Sequence, residues 1–221
     1  MSFIDFANDG FKYNLQVFPD TLTAATFLFS ILFQSPPLAA LTGAIAFLNI
    51  VHPISGRFMS DIWGGAAGTN TDVSVCSGRF PGLSFANIMT GGREALNYTT
   101  FPSYYTTFLG FLTAYLGVLP VIYRKELAAS PKKSATTTTA LVVLAVTVAA
   151  GLIYRYLSGC DTLFGIFIGL IVGVIFGLGM VMFLAWISDR RITNILGFPL
   201  MRNKATDGKP IYVCERDPKR T

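Results

Sequence analysis

Three short polar stretches interrupt an apolar chain: Gly56-Arg57, Pro102-Ser103, and the run Tyr154-Arg155-Tyr156-Leu157-Ser158-Gly159-Cys160-Asp161. Arginine and serine are suited to holding phosphate oxygens. The guanidinium offers a planar fork of charge-assisted donors, and it keeps its charge at any physiological pH. Asp161 adds a carboxylate, which in some enzymes attacks phosphorus. No carboxylate cluster for Mg²⁺ accompanies it, and Arg155 lies six residues earlier, so an ion pair is the simpler expectation. The chain has one histidine, His52, five residues before Arg57. An exposed or interfacial structural role is expected for it. There is no CxxC, no HExxH, no phosphate-cradling glycine loop and no Ser–His–Asp arrangement. Neither a metal nor another cofactor is expected. Cys76 and Cys160 fall on one side of the topology derived below and would pair in an oxidising compartment; two free thiols are the expectation.

The elements that position these groups are membrane spans. Of 221 residues, 52% are hydrophobic and 13% charged, and the mean hydropathy is +0.54. This is a membrane composition, and one domain is expected because the apolar segments must pack on one another. The net charge of +5 is not a nucleic-acid signal. Twelve of the seventeen basic residues lie in two segments, 124–135 and 188–221, as membrane topology demands. No nucleic-acid partner is expected. The first twenty residues carry one Lys against three Asp and no apolar core, so neither a cleavable signal nor a mitochondrial presequence is expected there.

The pattern predicts an all-α, polytopic transmembrane helix bundle with about five spans. Residues 1–20 space Phe3, Phe6, Phe11, Tyr13 and Phe18 among polar positions, which suits a segment lying in the interface; a loose tail is the alternative. Residues 21–51 are apolar but broken at Ser35-Pro36-Pro37, which predicts a hairpin of spans at 21–35 and 37–51, with one kinked span as the alternative. Further spans are expected at about 104–123, 136–157 and 162–187, with a Gly-rich loop at 52–103 and a basic tail at 188–221. The loop contains Trp63, an interface candidate, a possible short helix at 82–90, and a glycosylation sequon at Asn97-Tyr98-Thr99, meaningful only in a secretory compartment. Gly165, Gly169, Gly173 and Gly177 recur every fourth residue in the last span. They form one helix face almost without side chains, so a second helix is expected to pack closely there. The basic loop and tail belong on the cytoplasm-equivalent side, and the three polar stretches then meet at the opposite face.

Their order and placement resemble the type 2 phosphatidic acid phosphatase superfamily of membrane lipid phosphatases. Its motifs read K-x6-R-P, P-S-G-H and S-R-x5-H-x3-D, each at the same end of its helix. Tyr154-Arg155 stands at the S-R pair and Gly159 at the family's usual glycine. Asp161 takes the place of the nucleophilic His, and Gly165 that of the Asp orienting it. Pro102-Ser103-Tyr104-Tyr105 fits the second motif, with Tyr105 for the acid–base His. Gly56-Arg57-Phe58 fits the end of the first, with Ile50 for Lys. The resemblance covers residues 21–187. It implies a phosphatase-like bundle in which Arg57, Ser103 and Arg155 hold an anion, while Tyr105, Asp161 and Gly165 are vestigial. Both histidines of the mechanism are replaced.

The expected function is therefore non-catalytic: a structural or accessory subunit of a membrane assembly, partnered by membrane lipids and other membrane subunits, with an anionic lipid as one candidate occupant of the arginine site. An active lipid phosphatase or phosphotransferase with Asp161 as an atypical nucleophile is the alternative. A transporter would need repeat symmetry and charges within the spans, which the chain lacks.

Overall fold

A computed structural model describes residues 3–63, 76, 101–128, 131–187 and 192–195; at residues 3–9, 57 and 60 it describes the backbone alone. Seven helices follow in order: α1 (Phe3–Gln16), α2 (Phe18–Leu32), α3 (Pro36–Trp63), α4 (Tyr104–Ile122), α5 (Arg124–Ala128), α6 (Pro131–Leu157) and α7 (Leu163–Ile187). Among the described residues there is no strand. Pro36–Gly56 within α3, together with α4, α6 and α7, are long and apolar enough to cross a membrane. α2 has 15 residues, about 22 Å, short of a bilayer core of about 30 Å. It reaches a span's length only together with Gly10–Gln16, from which it is bent by 68°. The count is thus four spans, or five if the bent pair is one.

The break at residues 33–35 is a chain reversal. The Ser35 N–H donates to the Ser30 carbonyl and the Gln34 N–H to the Ile31 carbonyl, while Gln34 takes a φ of 45°. This is a Schellman stop with glutamine in the left-handed position, and Pro36 opens the next helix where no N–H is needed. Two boundaries differ from expectation. The loop predicted from residue 52 begins as helix, because α3 continues to Trp63 through Pro53. The basic loop 124–135 is largely helical too, as α5 and the first turn of α6. The apolar setting explains the first: backbone groups next to lipid are met most economically within a helix. Glycines 64–65 and 91–92, the short helix anticipated at 82–90, Asn97, and all of the tail but 192–195 lie outside the described residues.

α4 is the buried centre, and its closest partner is α7. The two run parallel, since contacts rise together along both chains. A Cβ on Gly169 would collide with Thr106, one on Gly173 with the Thr107 carbonyl, and one on Gly177 would lie 2.5 Å from the Phe111 carbonyl. α4 returns the approach at Gly110, where a Cβ would lie 2.5 Å from the Leu170 carbonyl. Backbone therefore meets backbone along this seam, and van der Waals contact replaces a hydrophobic drive that lipid cannot supply. Gly165 is buried at the head of α7.

Candidate functional site

The first turn of α4 organises the polar end of the bundle. Ser103 is the α4 N-cap, with extended backbone, and its hydroxyl accepts from the Thr106 N–H. The same hydroxyl donates to Asp161 Oδ2 at 3.0 Å. Asp161 arrives there through the turn after α6. The Cys160 N–H donates to the Arg155 carbonyl, the Gly159 N–H to the Tyr156 carbonyl, and Gly159 has a φ of 69°. This second Schellman stop needs the left-handed residue that glycine supplies without strain. It folds the chain back so that Asp161 faces the side chain it has just passed. Thr162 then caps α7 by accepting from the Gly165 N–H at 3.1 Å.

Arg155 sits in the last turn of α6 and is 1% exposed. Its Nε donates to Asp161 Oδ2 at 2.6 Å, and its Nη1 to the Cys76 carbonyl at 2.5 Å. Its guanidinium carbon lies 5.3 Å from the centroid of the Tyr105 ring. Asp161 is 7% exposed. An ion pair removed this far from water must recover a large desolvation cost through geometry and further hydrogen bonds. Here one carboxylate oxygen receives both Arg155 and Ser103, while the arginine has a second acceptor and a ring face. The Tyr105 hydroxyl donates to the Leu15 carbonyl at 2.7 Å, which ties α1 to the cluster.

Cys76 and Cys160 are bonded, with 5.5 Å between their Cα atoms and a sequence separation of 84. The expectation of two free thiols is overturned. The bond holds the Cys76 carbonyl where Arg155 uses it. Cys76→Ser or Cys160→Ser is expected to lower the protein's stability by about 2–4 kcal/mol. Thermal unfolding in detergent measures this, and thiol labelling before and after reductant checks the bond. Full labelling of both cysteines in untreated protein would refute it.

Compared with known proteins, the chain matches no family model, no curated protein and no solved structure.

The geometry therefore stands alone. Of the predicted site residues, Ser103, Tyr105, Arg155 and Asp161 are brought together, and the Gly165 N–H belongs to the cap beside them. Arg57 lies in α3, and its side chain falls outside the described residues. His52 is buried, not exposed or interfacial; its Nε2–H donates to the Pro102 carbonyl at 3.0 Å, and its ring meets Tyr104 edge-on at 5.4 Å. Its role is to join α3 to the start of α4. Trp63, Phe101 and Phe164 cluster with centroids 5.9–6.4 Å apart and gather the ends of α3, α4 and α7. The Cys76 carbonyl had no signal in the sequence. The burial of Asn49, 1% exposed in α3, was also missed. Its signal was a polar Asn49 inside an apolar span, four residues before a proline.

Proposed function

We propose that this is a non-catalytic integral membrane protein, an accessory or structural subunit whose phosphatase-like motif order survives without its chemistry. One observation carries the reading: the Asp161 carboxylate occupies the anion position that Arg155 and Ser103 would otherwise offer a phosphate. A carboxylate held by two donors and withdrawn from water is a poor nucleophile. Tyr105 makes a poor replacement for a proton-transferring histidine, because its hydroxyl is committed to a backbone carbonyl. The exposed valines 142, 143 and 146 on α6 offer an apolar face to lipid or a neighbouring subunit. The end bearing the disulfide is assigned to an oxidising compartment, and the end bearing Arg124, Lys125, Lys132 and Lys133 to the cytoplasm-equivalent side. The two assignments rest on independent physics, redox chemistry and charge, and they agree.

The test is turnover. Purified protein should release no phosphate from phosphatidic acid or diphosphate lipids at any pH. It should also co-purify with other membrane subunits in mild detergent. Turnover that Asp161→Asn abolishes would overturn the proposal and establish the carboxylate as nucleophile.

A further inference from the structure

The end of the bundle remote from Arg155 carries a different chemistry. α4 passes into α5 without a loop: the Tyr123 N–H donates to the Leu119 carbonyl and the Leu127 N–H to the Tyr123 carbonyl, each at 2.9 Å. The buried Tyr123 hydroxyl meets the Thr193 hydroxyl at 2.8 Å, which pins the chain beyond α7 to the same point. Leu127 packs on the core, and α5 packs against α6. Arg124 and Lys125 therefore stand exposed on a fixed turn, directly past the end of a span. Lys132 and Lys133 stand in the first turn of α6, the first exposed and the second half-buried. The stretch 124–135 holds these four basic residues and one acidic residue, Glu126, a local balance of +3. Among the described residues Arg124, Lys125 and Lys132 make no ion pair.

What adjoins these cations is apolar. Val121, just before them on α4, is 70% exposed, and Trp186, in the last turn of the parallel α7, is 82% exposed. Past the lysines on α6, Thr136, Thr138 and Thr139 donate to carbonyls of their own helix at 3.0–3.1 Å, and Val142 and Val143 beyond them are exposed. Hydroxyls satisfied within their own helix suit a wall of lipid, where no water serves them. Tryptophan favours the headgroup level of a bilayer. Fixed positive charge thus stands beside a surface fit for hydrocarbon.

We propose that Arg124, Lys125, Lys132 and Lys133 form a binding surface for the headgroups of anionic phospholipids in the leaflet at this end. Arginine meets a lipid phosphate with its planar fork and lysine meets it as a point charge. Basic residues clustered directly outside a span attract anionic lipid, and the attraction fades within a Debye length. An acidic protein segment would use the same charges but leave Trp186 and Val121 uncovered. Because α5 and α6 already hold the four residues in place, little chain ordering opposes binding. The surface lies at the opposite end from the Asp161 clamp, so its test is separate from that of turnover.

The experiment uses the full chain in phosphatidylcholine bilayers doped with spin-labelled phosphatidylserine or spin-labelled phosphatidylcholine. The motionally restricted fraction gives the relative affinity of the two lipids for the protein surface. At low salt phosphatidylserine should be preferred by about fivefold, the factor that one well-placed basic residue supplies. With Arg124, Lys125, Lys132 and Lys133 all replaced by Gln, the preference should fall below about twofold. Should that variant fail to fold, the unaltered protein at about 1 M salt decides the matter. The Debye length is then about 3 Å, and the preference should likewise fall below about twofold. Parity of the two lipids in the unaltered protein would overturn the proposal, and it is the result expected if these cations serve an acidic protein segment. A preference above about twofold that persists in the Gln variant or in high salt would overturn it equally.

Discussion

Arg155→Met should leave little folded protein. The substitution strands Asp161 at 7% exposure with, among the described residues, only the Ser103 hydroxyl as side-chain donor. It also removes the hydrogen bond from Arg155 to the Cys76 carbonyl. Removing one partner of a buried pair costs about 3–5 kcal/mol, a large share of a total stability of about 5–15 kcal/mol. Detergent-solubilised protein followed by size-exclusion chromatography and thermal unfolding would show the loss. The informative companion is Arg155→Met with Asp161→Leu. Apolar replacement of both charges is often neutral or stabilising, because neither ion then has to be desolvated. The double variant should recover most of the lost stability. If it is as unstable as the sum of its two single variants, the pair is not the source of the effect.

The second large effect is expected at the helix seam. Gly173→Leu drives a branched side chain into the Thr107 carbonyl and toward the Phe111 N–H. Neither is a flexible side-chain tip, so α4 and α7 must separate or shift in register. The cost lies at the upper end of the about 1–3 kcal/mol usual for overpacking. Gly179→Ala is the control: it sits on the same helix with nothing within 4 Å of an added Cβ, and it should be tolerated. Equal stability of the two variants would show that the seam contributes nothing to folding.

Much of this was readable before the structure. The four-residue glycine spacing in α7 needs only helical geometry to become a face. Gly159 after an apolar helix signals a left-handed stop, and such a stop brings a residue two positions later back toward the last turn. That is how Asp161 meets Arg155. The prolines at 36 and 37 announced the reversal between α2 and α3. The start of the Gly-rich loop was misplaced. A proline removes one hydrogen bond but does not end a helix that its surroundings hold together, so α3 runs on through Pro53. The topology put Cys76 and Cys160 on one side, but nothing local links residues 76 and 160, so only tertiary placement decides the disulfide. His52 was misplaced for a related reason: its burial depends on Pro102, fifty residues away, coming to meet it.

The bond between Cys76 and Cys160 closes a covalent ring that contains α4, α5 and α6. α3 enters from one side of the ring and α7 leaves from the other. A protease that cuts the chain between α5 and α6 therefore opens the ring without dividing the molecule. The two pieces migrate as one until reductant is added, and then separate. Each piece retains half of the central pairing, with α4 on the N-terminal fragment and α7 on the C-terminal one. In nicked protein the disulfide and the glycine seam both still join the two pieces.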